Sequence, residues 1–402
     1  MSASQLRLST LTSSQGTGKY QTRSHFKRGD FFIALRESQK KCIFATETKT
    51  TIDIMGKIKG RTEIAELGEF GLIDRLTAPF TPKVKSTIKG VGDDAAVIEA
   101  SKSTAMLVST DTMVEGVDFD LTYFPPKHLG YKAVTKGISD IVAMNAIPEQ
   151  ITISVAVSSK ISVEFLDDFY SGVEFACREA EVDMVGGDTS ASVNGLVINI
   201  TAVGRAKKEN VVYRSGAKVN DLICITGSLG APFLGLKLLQ RESRVLEGVV
   251  GEKPQFDGFE YLLERYLKPR ARYDIVRSLA EEKIVPTSMI DITDGLASDL
   301  MQICRSSQCG ARIYLERMPI ARQCTALGEQ MHIDPVTAAL NGGEDYELLF
   351  TLPLEMREKV AAIGAIDIIG HITEPQTGLF LVTPDGGEIE LRAQGFVKKV
   401  EE

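Results

Sequence analysis

No apolar run of about 18 residues occurs in the 402-residue chain, so no membrane-crossing helix is expected. Cys42, Cys177, Cys224, Cys304, Cys309 and Cys324 form no C-x-x-C pair, which argues against a thiolate zinc site. Most of them lie in apolar stretches and read as small core residues of a protein kept in a reducing, cytoplasmic compartment. Histidine is scarcer still, with four residues and none at metal-ligand spacing, so an imidazole centre is not expected. The chain also lacks a G-x-S-x-G elbow, a Cys/His motif and the H-R-D and D-F-G sets, which removes the commonest nucleophilic and kinase machineries. The stretch "SSQGTGKY" imitates a phosphate loop and fails it: Ser13 stands where the first glycine is required, and Tyr20 follows Lys19.

Basic residues are short in the body of the chain. Residues 1–60 hold 11 Lys and Arg against 4 Asp and Glu, whereas residues 61–402 hold 35 against 50, within a net charge of −8. An acidic body is a poor surface for a phosphate backbone, so nucleic acid is not an expected partner; it suits a protein that holds divalent cations. With 43% hydrophobic residues the chain is long enough for two cores. The basic first 60 residues are expected to be a disordered leader; their composition also resembles a transit peptide, and Met55 stands shortly before the first regular pattern.

The rest reads as α/β alternation in two blocks, residues 61–205 and 206–402. Helical spacing is expected over "TEIAELGEFGLIDRLTAPF", over Leu129 to Ala146 and over "VEFLDDFYSGVEFACREA". Strands are expected at "AAVIEA", "AMLVST", "ITISVAVS", "DMVGGD" and "LVINITAVGRA". In the second block strands are expected at "LICITG", "TSMIDI", "YELLFTL", "AIDIIGHIT" and "LFLVT", helices at "APFLGLKLL" and "GLASDLMQICRSS", and a loop-rich span up to Pro269.

Carboxylates gather at the ends of these strands: Asp93 and Asp94 in "GVGDDAAV", Asp111 in "VSTDT", Asp140 in "GISDIVAMN", Asp188 in "GGDTS", Asp291 and Asp294 in "MIDITDG", Glu344 and Asp345 in "NGGEDYELL". Any single one is most simply an N-cap or a turn. Six stretches with one grammar are harder to dismiss, because strand ends of α/β sheets converge. Converging carboxylates repel, and few basic residues adjoin these motifs in sequence, so a metal is the economical counter-charge. Oxygen ligands from Asp, Ser and Thr favour Mg²⁺, which commonly keeps room for phosphate oxygens. The neighbouring glycines, Gly187 among them, allow close backbone approach to phosphates or simply form turns. "ITGSLGAPF" offers a helix start suited to an anion. Arg214 in "YRSGAK" is either a solvated linker charge or a clamp on a polyphosphate.

In order, "GVGDDAAV", "STDTMVEGVDF", "SDIVAMNA", "GGDTS", "YRSGAKVND", "ITGSLGAPFLGL", "LKPRAR", "MIDITDGLASDL" and "NGGEDYELLF" match the motifs of thiamine-monophosphate kinases, within the PurM or AIR-synthetase-like superfamily. The resemblance covers residues 62 to about 397. It implies two PurM-like domains, the N-terminal one contributing its sheet to a barrel shared in a homodimer. It implies transfer of the ATP γ-phosphate to thiamine monophosphate, with several Mg²⁺ ions and ATP between the domains. By matching position, Asp94, Ser109, Thr110, Asp111, Asp140, Asp188, Asp291 and Asp294 would hold magnesium. Gly187, Asp188, Arg214 and Thr293 would meet ATP; Asp118, Glu344 and Phe396 would border the thiamine moiety. No general base is implied. Asp118 departs from the family, which often has histidine there, and "DITDG" replaces "DLSDG". The alternatives are another ATP-dependent enzyme of the superfamily and a non-catalytic nucleotide- and Mg²⁺-binding dimer. Against them stand the absence of an early reactive cysteine or a C-terminal cysteine, and the retention of every matched carboxylate.

Overall fold

The computed structural model describes residues 64–247 and 253–393. In chain order the first half runs α1 (Ile64–Thr77), β1 (Thr87–Lys89), β2 (Ala96–Glu99), β3 (Thr104–Val114), α2 (Pro126–Ala143), β4 (Ile147–Ser158), α3 (Val163–Ala180), β5 (Asp183–Ser192) and β6 (Val197–Lys207). Its strands form a six-stranded sheet in the order β1-β2-β3-β6-β4-β5. All neighbours are antiparallel except β4 and β5, which the α3 crossover brings back parallel.

Alternation decides which way this sheet faces. On β3, Ala105, Leu107, Ser109 and Met113 are buried, so Asp111 shares their face, while Thr110 and Thr112 are exposed on the other. On β6, Ile198, Ile200 and Ala202 alternate inward in the same way. Helix α2 lies against that face and is itself largely buried. It approaches closely because Gly137 has no side chain: a Cβ there would lie 2.4 Å from Ile200 Cγ2.

The helix begins with Pro126 behind Pro125, a position where the missing N–H is no loss. It ends at Ala143, earlier than the expected Ala146. Met144 leaves helical geometry and Asn145 adopts φ 57°, so the chain has turned before Pro148 is reached. Pro148 instead lies within β4, beside an irregularity in the β4–β6 register between Pro148 and Gln150, where no ladder donor is needed.

The second half runs β7 (Leu222–Thr226), α4 (Ala231–Val245), α5 (Glu260–Leu267), α6 (Tyr273–Glu281), β8 (Ser288–Asp291), α7 (Leu296–Ser307), β9 (Gly310–Tyr314), α8 (Arg322–Met331), α9 (Pro335–Asn341), β10 (Leu348–Leu352), α10 (Arg357–Ala362), β11 (Ile366–Thr373), β12 (Leu379–Val382) and β13 (Glu388–Glu390). Helix α5 occupies part of the span expected to be loop; its eight residues bury only Leu262 and Tyr266, too few periods to stand out in sequence. The seven strands are ordered β13-β12-β9-β11-β7-β10-β8. They are antiparallel apart from β9 and β12.

Strands β7 and β10 are buried throughout, as expected of strands covered on both faces. One face, with Cys224, Met289 and Phe350, belongs to the same core as Leu107, Ile141 and Ile200 of the first sheet. The other, with Ile223, Ile225 and Leu349, packs on Leu296, Leu300 and Ile303 of α7. Each such fully buried aliphatic side chain contributes about 1.5–3 kcal/mol. The shared core fixes α2 against the end of β8, and that contact assembles the site. Among the described residues no helix is long and apolar enough to cross a membrane.

Candidate functional site

Three carboxylates from three places in the chain meet. Asp94 precedes β2, Asp140 lies on α2 and Asp291 ends β8; one oxygen of each lies within 4.8 Å of the others. Asp111, on the α2-facing side of β3, adjoins Asp140, and the two carboxyls act on each other's ionisation. Burial sets the chemistry of the group. It pushes Asp94 up to about 6 against the pull of Arg214. It pushes Asp291 to about 7, helped by the charge of Asp94 and resisted by a hydrogen bond from Ser139. Asp140 is raised well above the usual carboxylate range by burial and then by Asp111, Asp291 and Asp94. Asp111 is itself raised, mainly by burial, with Lys136 opposing.

Such a group is poorly tolerated without added positive charge. Arg214 supplies part of it. Its Nε donates to Asp94 Oδ1 at 2.9 Å, Nη2 reaches the same oxygen, and its backbone N–H donates to Asp93 Oδ1 at 3.0 Å. Asp94 Oδ2 and Asp111 Oδ2 are nevertheless buried with no hydrogen-bond partner. Orphaned, buried carboxylate oxygens are costly unless a cation takes them, and an oxygen-only set fits Mg²⁺.

The remaining expected residues divide. Ser109 is buried on the Asp111 side, where its hydroxyl donates to Gly137 O at 3.2 Å. Thr110 lies on the opposite face of the sheet, its hydroxyl 3.2 Å from Ile200 O and from Thr201 Oγ1, so its side chain is not brought to the acids. The period-2 alternation of β3 forces that separation. Thr293 and Asp294 lie in the turn after β8; both backbone amides donate to Asp299 Oδ2, at 3.1 and 3.2 Å, and Asp294 is exposed. Asp188 is exposed on edge strand β5, opposite Ser154 of β4, and is not part of the acid cluster. Gly187 is accounted for by its neighbour strand, since a Cβ would lie 1.9 Å from Ile153 O. The start of α4 is taken by the protein itself: Gly230 N–H donates to Asp345 Oδ1 at 3.0 Å, which corrects the expectation of an anion there.

A second cluster adjoins the first. The loop before β10 is zipped onto the loop after β8, with Glu344 N donating to Thr293 O at 2.8 Å and Tyr346 N to Ile292 O at 2.9 Å. To make that contact Gly343, Glu344 and Tyr346 all adopt positive φ, at 73°, 60° and 53°. Strain of this kind on non-glycine residues is held only where the surroundings impose it. Glu344 Oε1 lies 3.0 Å from Lys132 Nζ, and that ammonium sits 4.0 Å from the ring centre of Tyr266 and 5.4 Å from that of Phe124. The arrangement is a carboxylate next to aromatic faces, already cradling one cation.

The family profile described as AIR synthase related protein, N-terminal domain, matches residues 92–206, and that of the C-terminal domain matches residues 218–383. A thiamine-monophosphate kinase of Buchnera aphidicola subsp. Schizaphis graminum is 36% identical over 323 residues, 79% of this chain and 94% of that protein. One from Bacillus subtilis is 33% identical over 337 residues, 82% of this chain and 99% of that protein. The chain belongs to the thiamine-monophosphate kinase family. A solved family structure, "AaThiL complexed with AMPPCP and TMP", superposes with a TM-score of 0.72 at 32% identity, covering 84% of this chain and all of that one. Both halves are therefore PurM-like α/β domains.

Against the family pattern, Asp118 is turned back onto its own strand. Its Oδ2 accepts Val114 N–H at 2.8 Å, and its Oδ1 lies 3.4 Å from Lys136 Nζ. Phe396 lies outside the described residues. Lys132, Lys136, Ser139, Tyr266 and Asp299 were not singled out from sequence. The signal available was the four-residue spacing of Lys132, Lys136 and Asp140, which places them on one face of a helix.

Proposed function

We propose that this protein transfers the γ-phosphate of ATP to thiamine monophosphate, giving thiamine diphosphate and ADP, with magnesium held by its clustered acids. The observation that carries the reading is the meeting of Asp94, Asp140 and Asp291 from both halves of a thiamine-monophosphate kinase fold. Asp94, Asp111, Asp140 and Asp291 are the proposed Mg²⁺ ligands, with Ser109, Thr110, Asp188 and Asp294 completing the family set. Bound Mg²⁺ would neutralise charge on the donor and acceptor phosphate oxygens.

The chain's own residues position and exclude. Arg214 brings a fixed guanidinium to the nucleotide side of the acids, where it orients phosphate oxygens. Thr293 and Gly187 border the nucleotide. Glu344, beside the rings of Tyr266 and Phe124, takes the cationic thiamine rings. The acceptor is a phosphate already ionised near neutral pH, so no residue is required to remove a proton from it.

We read the protein as a cytoplasmic homodimer. The five described cysteines are free and buried, which supports a reducing compartment. Among the described residues strand β5 is an exposed, uncovered sheet edge that carries Asp188, which supports completion of the site by a second copy. The test is direct: purified protein is incubated with ATP, MgCl₂ and thiamine monophosphate, and the products are separated by chromatography. Thiamine diphosphate and ADP in equal amounts are expected; ADP without thiamine diphosphate, or neither product, would overturn the reading.

A further inference from the structure

We infer that Lys136 is the residue that grips the phosphate of the acceptor substrate, with Asp118 holding it in place. The inference rests on the thiamine-monophosphate reading above and adds to it the contact that joins its two ends. Helix α2 carries Lys132, Lys136 and Asp140 at successive four-residue intervals, so the three side chains share one face and rise about 6 Å per step. Asp140 belongs to the acid cluster at one end. Lys132 belongs to the Glu344 and Tyr266 cluster at the other. Lys136 lies between them, and the charges that act on its ammonium come from both directions: Asp118 first, then Asp111 from the metal side and Glu344 from the thiamine side.

The substrate must span the same interval. Its cationic rings lie toward Glu344 and its phosphate must reach the donor phosphate at the acids. A phosphate carried into a nest of carboxylates needs cations of the protein's own. Arg214 stands on the Asp94 side of the nest, and Lys136 stands on the Asp111 side. Lys136 is also the more accessible of the two lysines, its side chain 21% exposed against 0% for Lys132. Among the described residues it makes one bond, at 3.4 Å to Asp118 Oδ1, and an ammonium has three donors. Asp118 is fixed through Val114 N–H, three residues beyond Asp111, so the lysine is tied to the strand that carries a proposed metal ligand. A compact ammonium on a flexible stem suits a phosphate that must be received and released in each turnover.

The test compares full-length wild type with Lys136→Met and Lys136→Arg in saturating ATP and Mg²⁺. Methionine keeps the stem and removes the charge. The KM for thiamine monophosphate is expected to rise about ten- to a hundredfold in Lys136→Met, as for loss of a charged hydrogen bond. The KM for ATP should stay within about twofold, and Lys136→Arg should recover part of the loss. Thiamine, which lacks the phosphate, serves as a competitive inhibitor whose inhibition constant should not change. An unchanged KM for thiamine monophosphate, a parallel rise in both KM values, or an equal loss for thiamine would overturn the inference, because each points to a structural role or none. Where the methionine variant does not fold by circular dichroism, Lys136→Gln replaces it. Wild type that forms no thiamine diphosphate defeats the functional reading itself, whereas active wild type with an indifferent Lys136 defeats this inference alone.

Discussion

Asp140 shows how function and stability oppose each other at a single residue. Its carboxyl is held well above the ordinary range by burial, and further by the charges of Asp111, Asp291 and Asp94 around it. Removing its charge relieves that repulsion and removes a proposed magnesium ligand together. Asp140→Asn is therefore expected to lose at least about a hundredfold in turnover, while metal-free stability in urea stays equal or rises by about 1 kcal/mol. A variant that keeps wild-type turnover would show that Asp140 holds no catalytic metal. The same repulsion gives a pH dependence. Asp94 at about 6 and Asp291 at about 7 bind protons in the folded state that an unfolded carboxyl, at about 4, has already released. Their stabilising share is complete below about pH 4 and is lost as pH rises through 6 and 7. Metal-free protein should thus melt lower at pH 7.5 than at pH 5.5, and Mg²⁺ should raise the melting temperature more at pH 7.5, where the carboxylates are free to bind it. Scanning calorimetry at both pH values, with and without MgCl₂, checks the sign.

At the scale of elements, α2 is the part on which the site depends, and its closeness to the sheet is set by Gly137. Gly137→Ala places a methyl 2.4 Å from Cγ2 of the fully buried Ile200, a β-branched side chain with few rotamers open to it in a packed core. Urea unfolding should show a loss of about 1–3 kcal/mol, and activity should fall with it because Asp140 rides on the displaced helix. An alanine variant as stable and active as wild type would mean that the helix packs less tightly. The chain's legibility follows the same division. Asp94, Asp140 and Asp291 were readable because each stands beside a glycine, a hydroxyl residue or a second acid next to an apolar stretch, Asp94 before β2, Asp140 on α2 and Asp291 at the end of β8. Arg214 beside Asp94, and Lys136 beside Asp118, were not, because those partners lie 120 and 18 residues apart and only the packing of α2 and the linker joins them. The side chain of Thr110 faces away from Asp111 for a local reason that the sequence did contain: adjacent residues on a strand point to opposite faces. Helix α5 was missed because eight residues hold little more than two turns. The strained run at Gly343, Glu344 and Tyr346 has no sequence mark beyond "NGG", since its cause is the loop after β8.

At the scale of the whole molecule, the position of Asp188 is the feature that one copy leaves unexplained. Nine of the ten residues of β5 are exposed, including Met184 at 42% and Val185 at 62%, and among the described residues no element covers this edge. A sheet edge of this length is an interface or a hazard. If it is the interface, Asp188 belongs to a site that a single copy does not complete. Light scattering should then report twice the 43.8 kDa chain mass, and Val185→Lys should shift the population toward monomer. Turnover should fall in proportion to the dimer lost and recover as protein concentration is raised. Val219→Lys, an equally charged change at an exposed residue before β7, should leave both mass and turnover unchanged. A wild-type monomer with full activity, or a monomeric Val185→Lys variant that turns over normally, would place Asp188 outside the working site and leave the four clustered acids as the whole of it.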